Sequence, residues 1–533
     1  MPFMQKILRI ACLLMGWTLA AAHDVCDVVI YGGTSSGILA AVELASRGKT
    51  VLVIEPSHHV GGMSTSGLGW VDASNPDVLG KRTLDFFHRI WLHYEKPKSW
   101  VWEQPHLIKG QVHNTLAPET LWVFEPHVAE NVFLSMIAEA GVRVVFNERL
   151  NRKNGVDKKN NKIERITMES GKSFAGHIFI DASYEGDLMA SAGIDYTIGR
   201  EANTVYGETL NGIHYNVRRA DLPQRGGIDP YIIPKDPNSG LLPRIEPFTQ
   251  EQDGEGDFRI QAYNYRMCLT DVPENSIPIQ KPEQYREIDY ELVFRALALG
   301  MPWDRFFKLD LLPNRKTDSN NASGISTDFI GMNYHYIESS YKEREKIALA
   351  HKNWQLGLVW TLQYHPRVPV KIRRLLQKWG LAKDEFIDND HWPYQLYIRE
   401  GRRMLGEHVT TENTLMDATS VHDPIAFCTY AMDSHIVRYI EGADHCLGID
   451  GALYKPLPAP GRISYRSIVP KQQQCENLIV PVCLSASHPA YGSIRMEPVF
   501  MTLGERAAIA ASIAIDLSIP VQQVPYQLLK RHW

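Results

Sequence analysis

The 533-residue chain carries 44% hydrophobic and 22% charged residues, the balance of a folded protein with a sizeable core rather than of a disordered one. A formal net charge of -5, with Lys and Arg scattered rather than run together, leaves no footprint for a polyanion, so no nucleic-acid partner is expected. Seven dispersed cysteines without a C-x-x-C argue against a zinc site or an iron–sulfur cluster and leave both disulfides and buried free thiols open.

Residues 1–22 read as a secretory signal peptide. Lys6 and Arg9 precede an apolar run from Ile10, and Ala20-Ala21-Ala22 supplies the small residues of a cleavage site. The run is short for a membrane span, and no later stretch reads as one, so the expectation is an exported protein with no membrane span once the leader is removed.

A β-α-β unit follows. Val28 to Tyr31 is a β-branched run suited to a buried parallel strand, Ile38 to Ser46 has helical spacing ended by Gly48, and Val51 to Ile54 is the second strand, capped by Glu55. The turn between is a dinucleotide fingerprint with Gly32, Thr34 and Gly37 at the three glycine positions. Gly32 makes the tight turn, Gly37 lets the helix approach the sheet, and Gly33 keeps the loop permissive. Thr34, Ser35 and Ser36 set hydroxyls at a helix N-terminus, where phosphate binds well. Glu55 is placed for ribose hydroxyls. A second glycine loop, Val60 to Trp70, carries Gly61, Gly62, Met63 and Ser64; an extended dinucleotide such as FAD would use it, and a nicotinamide cofactor has no need of it.

Further along, a helix over Glu125–Glu139, a strand over Val142–Phe146, a Lys/Asn-rich hairpin turn within Asn151–Lys162 and a strand over Lys172–Ile180 lead into DASYEGDLMASAG, whose Asp181 either returns to the cofactor or caps a helix. From residue 207 to 390 prolines and aromatics become dense and the alternation is lost, which reads as an inserted α+β substrate or cap domain. The nucleotide-binding part then comprises 23–206 and 391–533, the latter with a strand over Asn477–Val482 and a helix opening near Pro498, whose positive end is suited to a reduced flavin. The fold class is α/β, a Rossmann-like parallel sheet with helices and a β-hairpin insert. Asn321-Ala-Ser323 is a glycosylation triplet.

Oxidising an alcohol or amine carbon needs a base for the heteroatom proton. His488, in the loop before the last helix, and His435, beside Asp433, are the candidates, and Arg495 is counted with them as a catalytic residue; Arg399, Arg402 and Arg403 are candidates to hold an oxyanion or polyhydroxyl group. His58 and His59, just before Gly61-Gly62, stand where a covalent flavin link could form. No second complete dinucleotide fingerprint follows, so electrons are expected to leave to oxygen or a diffusible acceptor.

Seven segments together resemble a known family: GGTSSGILAA (32–41), VGGMSTSGLG (60–69), DASYEGDLMA (181–190), QAYNYRMCLT (261–270), LPNRKTDSNN (312–321), YIREGRRMLG (397–406) and SASHPAYGSIRMEPVFMTLG (485–504). They are similar to FAD-dependent oxidoreductases of the glutathione-reductase-like superfold, in a secreted branch often labelled "xanthan lyase", where G-G-T-x-x-G is a usual phosphate loop. The resemblance implies FAD, with Gly32, Gly33, Thr34, Gly37, Glu55, Gly62, Met63, Ser64 and Asp181 as cofactor contacts and Arg495, Pro498 and Gly504 closing the site. The expected activity is hydride removal from a small polar organic substrate, a sugar or related compound. A fumarate-reductase-type reductase of an activated alkene and a polysaccharide-processing or binding protein without redox activity are the alternatives.

Overall fold

The computed structural model describes residues 25–72, 75–105, 117, 119–215, 222–223 and 227–532. The expected signal peptide lies outside them.

Strand β1 (Cys26–Tyr31), helix α1 (Ser35–Ser46) and strand β2 (Val51–Ile54) form the expected unit, with Val29 opposite Leu52 and Ile30 opposite Val53 in parallel register. Helices α2 (Lys81–Tyr94) and α3 (Pro126–Ala140) precede β3 (Arg143–Val145), parallel to β2. The hairpin β4 (Val156–Lys159) and β5 (Lys162–Thr167) turns through Asn160 and Asn161, both at positive φ as a two-residue type I′ turn requires. Strand β6 (Ser173–Asp181) then enters beside β1, with Ile30 opposite Ile180. Much later, β7 (Leu478–Ile479) pairs parallel with the end of β6. The sheet order is β3-β2-β1-β6-β5-β4, with β7 against β6.

The period-2 rule of a strand sorts the core. Val28, Ile30, Val53, Ile178 and Ile180 face the large apolar cluster, while Val29, Tyr31, Leu52, Ile54 and Phe179 face a second one completed by Leu150, Ile163, Leu188 and Leu478. The large cluster contains α1 and the long terminal helix, which runs from Glu497 to Leu517 after a short helix over His488–Ile494. We call these α5 (Glu497–Leu517) and α4 (His488–Ile494). Helix α5 is long and apolar enough to cross a membrane by length and composition, which corrects the expectation that no later stretch qualifies; here it is buried inside the fold.

The region 207–390 builds its own antiparallel sheet, in the order Ser276–Ile277, Gly380–Ala382, Leu269–Thr270, Lys316–Asp318, Asp310–Leu312, with a long helix over Tyr341–Tyr364. The chain does not rejoin the parallel sheet at 391. Arg438–Glu441 pairs with Ile245–Glu246 of the inserted region, Pro424–Cys428 with Gly461–Ser464, and the sheet is regained only at β7. Cys268, Cys428, Cys475 and Cys483 are buried free thiols.

Candidate functional site

The loop after β1 is built by steric necessity. Gly32 has φ +101°, and a Cβ there would lie 2.7 Å from Ser183 N; a Cβ on Gly37 would lie 2.0 Å from Gly32 O. Thr34 caps α1: its Oγ1 accepts from Gly37 N at 3.3 Å and donates to Ala182 O at 2.8 Å. A threonine at the middle fingerprint position thus exchanges a bare backbone for a side-chain cap on the helix N-terminus, worth about 1 kcal/mol. Glu55 is buried at the end of β2, accepting from Gly33 N at 2.6 Å and Ser57 N at 2.7 Å. Burial pushes its carboxyl up, against those donors.

The second loop lies alongside the first. Gly61 N donates to Gly33 O at 2.7 Å, and Gly61 and Gly62 take φ of +95° and +57°. Met63 N donates to Tyr184 OH at 2.9 Å. Three hydroxyls from three segments, Ser35, Ser64 and Tyr184, then donate to one carboxylate, Glu497, at 2.5, 3.0 and 2.8 Å. Glu497 and Pro498 open α5, so the N-termini of α1 and α5 converge on these loops. Burial raises the Glu497 carboxyl despite its three donors. Glu497 and Tyr184 lie in the segments 485–504 and 181–190, but neither residue type there carries a local signal of this convergence.

Two expected cofactor contacts have other roles. Asp181 accepts from Ser183 N and Oγ and from Met189 N at 3.1, 2.6 and 2.8 Å, so it organises its own turn; burial raises its carboxyl to about 6. Gly504 is the crossing point of α5 with α1, since a Cβ there would lie 2.1 Å from Ser36 O. Ser36 Oγ, buried and without a hydrogen-bond partner among the described residues, faces that same crossing rather than the glycine loops. These are packing constraints, set by the close approach of two helices.

A cavity of about 420 Å³ opens beside the start of α5. Trp70, Tyr397, Tyr430 and Tyr454 line it with Asp72, Asp310, Asp328, Asp433, Arg266, Arg495, His435 and the amides of Asn320 and Asn321. The segments 261–270, 312–321, 397–406 and 485–504, far apart in the chain, meet here. The glycosylation triplet Asn321-Ala322-Ser323 is part of the wall.

On its wall His435 Nδ1 is 2.7 Å from Asp328 Oδ2, and Asp328 is also 3.0 Å from Arg399, whose guanidinium is wholly buried. A carboxylate accepts only, so Nδ1 carries the proton and Nε2 is the free base; Nε2 lies 3.6 Å from Asp433 Oδ2, beyond hydrogen-bond reach. Burial and then Arg399 push the His435 imidazole below its usual range. Burial opposes the Asp328 charge, but Arg399 and His435 outweigh it and hold that carboxyl low. Arg495 donates to Tyr397 OH at 2.9 Å and to Asp433 at 3.0 Å. Arg266 is paired in a fork with Asp318. Asp72 makes no hydrogen bond or ion pair among the described residues, and burial raises its carboxyl against the pull of Arg266 and Arg495.

Of the expected catalytic residues, His435 and Arg495 line the cavity, and Arg399 acts one step behind it through Asp328. His488 does not line it: its ring is buried against Glu400 at 2.8 Å, and Glu400 also pairs with Arg403. Arg402 is consumed by Asp187 and Glu338, both at 2.9 Å, and Arg403 by Glu201 at 2.6 Å. Buried charges need partners, so these arginines hold the fold together. His58 and His59 turn to Asp388.

The residues fit an extended dinucleotide. Two glycine loops with left-handed backbone lie side by side, two helix N-termini converge, and an acid stands at the end of β2. Gly33, Thr34 and Ser35 would hold a pyrophosphate, Glu55 a ribose, and Met63, Ser64 and the start of α5 the far end.

The family model described as FAD dependent oxidoreductase matches residues 27–532. A vinyl phenol reductase of Lactiplantibacillus plantarum is 37% identical over 91 residues, covering 14% of this chain and only 18% of that protein. Among solved structures, L-proline dehydrogenase from P. horikoshii overlaps 34% of this chain and 59% of its own at 18% identity and a TM-score of 0.24. For L-amino acid deaminase from Proteus vulgaris the values are 35%, 54%, 16% and 0.24. With the match spanning nearly its whole length, this chain belongs to the FAD-dependent oxidoreductase family, and FAD is its cofactor.

Proposed function

We propose that this protein is an exported dehydrogenase or oxidase that takes hydride from a hydroxyl-bearing carbon of a small polar substrate, a sugar or related compound. The observation that carries the reading is the His435–Asp328 pair in a cavity lined by aromatic faces and carboxylates. Aromatic rings cover the apolar face of a polyol while acids and amides take its hydroxyls. When bound, FAD supplies the two-electron acceptor. His435 Nε2 takes the hydroxyl proton as the carbon loses hydride, and the product is the carbonyl. Asp328 holds the tautomer and stabilises the imidazolium that forms, while Arg399 fixes Asp328. Arg495, anchored by Asp433, and Asp72 bind the substrate's polar groups. Electrons then leave to oxygen or a diffusible acceptor.

The first test is an absorption spectrum of the purified mature protein, repeated on the supernatant after acid precipitation. Bands near about 370 and 450 nm that pass into the supernatant are expected of non-covalent flavin; a colourless protein that takes up no added FAD would remove the foundation. Anaerobic bleaching of the longer band by a panel of sugars and polyols then tests the substrate class. Export is tested by expressing the full chain with its leader and sequencing the N-terminus of the secreted fraction.

A second reading, reduction of an activated alkene with Arg495 or Arg266 as proton donor, is favoured by the guanidiniums in the cavity and by the short match to the vinyl phenol reductase. Anaerobic turnover of alkenes with reduced viologen, and none of polyols, would select it.

A further inference from the structure

His58 and His59 are not used by the chemistry above, yet their imidazoles are arranged with care. We propose that His58, His59 and Asp388 form a divalent-cation site of the zinc class, fastening the inserted region to the loop that follows β2.

One nitrogen from each ring and one Asp388 oxygen all lie within 4.8 Å of one another. Asp388 Oδ2 is 3.5 Å from His58 Nε2 and 3.3 Å from His59 Nε2. A tetrahedral ion with bonds of about 2.0–2.1 Å holds neighbouring ligand atoms roughly 3.3–3.4 Å apart. The distances are therefore those of ligands around one ion, too long for hydrogen bonds and too short for indifference.

The surroundings aim the ligand atoms. His59 Nδ1 is 2.7 Å from Glu130 Oε1, so Nδ1 donates and Nε2 keeps its lone pair. That side chain is only 10% exposed, and its Nε2 is buried without a hydrogen-bond partner among the described residues. Tyr394 stacks on the His59 ring and donates its hydroxyl to Asp388 Oδ1 at 2.7 Å, leaving Oδ2 for the ion. His58 and Asp388 are about half exposed, which leaves a fourth position on the solvent side for water.

A second cluster makes the contrast. Glu125, His127 and Glu385 also converge, but Lys316 Nζ sits among them, 2.8 Å from Glu125 and 2.6 Å from Glu385. There the cation is already supplied by the chain. At His58, His59 and Asp388 the described residues supply none.

Two imidazoles and a carboxylate suit zinc, and copper and nickel would compete. His58 and His59 lie between Glu55 and Gly61, so the ion would brace the second glycine loop from outside. The experiment uses untagged, FAD-loaded protein stripped with EDTA and titrated calorimetrically with Zn²⁺, with melting measured in parallel. One equivalent should bind and raise the melting temperature. Asp388→Asn, which keeps an oxygen for Tyr394, and His58→Ala should each weaken binding at least about tenfold, and Glu130→Gln by about 10–100-fold. Failure to bind one saturable equivalent would overturn the proposal. Unchanged affinity in folded, flavin-loaded Asp388→Asn and His58→Ala would overturn it equally, by placing the ion elsewhere.

Discussion

The carboxylate of Asp328 serves two groups at once, the wholly buried guanidinium of Arg399 at 3.0 Å and the imidazole of His435 at 2.7 Å. Asp328→Asn removes the counter-charge of Arg399 and leaves it Ala262 O, Asn264 Oδ1 and a longer contact to Asn320 Oδ1, all neutral acceptors. Breaking a buried pair from one side costs about 3–5 kcal/mol; the amide oxygen of Asn can still accept one bond, so about 3 kcal/mol is expected. Arg399→Met removes the other side, and the double variant leaves no unpaired charge, so the two losses should overlap by about 2 kcal/mol. Urea unfolding of the FAD-loaded proteins, followed by tryptophan fluorescence, measures all four corners. The sign with pH is fixed by the direction of the Asp328 shift. Its carboxyl is held below the ordinary 3.8, so the stability it adds is fully present above that value and is lost as pH falls through the lower folded value. The deficit of Asp328→Asn should therefore be constant near neutrality and close in acid. Strictly additive single variants, or a deficit that grows on acidification, would refute the reasoning.

His435→Gln should lower turnover about 10²–10⁴-fold with the flavin spectrum intact; loss within tenfold would move the base elsewhere. Because burial and Arg399 lower the imidazole pKa from 6.5, the acid limb of kcat/KM should fall below pH 6.5, and a limb above it would contradict the assignment. Asp72→Asn should raise the melting temperature at neutral pH, since burial raises that carboxyl and its ionisation costs stability as pH climbs past 3.8; below that value the gain should vanish. Gly504→Val should loosen α1 against α5, because a Cβ only 2.1 Å from Ser36 O must displace backbone, at about 1–3 kcal/mol. Reduced flavin content per mole of purified protein is the expected readout, and full content would show that the crossing tolerates the side chain.

The glycine loops were legible because their requirement is local. A turn out of β1 at φ +101° and a helix start against it admit few residues, so Gly32 and Gly37 announce themselves, and Thr34 is a cap wherever that turn occurs. The strands were legible because burial on both faces demands continuous apolar runs, and the Asn160-Asn161 turn because left-handed backbone selects its residues. The cavity was not legible in this way. His488, Arg402 and Arg403 have the residue types of a site, yet Glu400, Asp187 and Glu201 consume them, and those partners come from other parts of the chain. Asp328, Asp72 and Glu497 give no local signal, because an acid becomes functional only when the fold desolvates it and sets its neighbours.

Local sequence thus specifies the dinucleotide scaffold: β1-α1-β2, the acid at its end, the second glycine loop and the helix α5, each fixed by short-range sterics or apolar periodicity. Which polar residues face a substrate, which merely neutralise one another and which meet around an ion were decided by tertiary structure alone. Charge pairing depends on distance in space and on the water removed by folding, and neither is written in the order of residues along the chain.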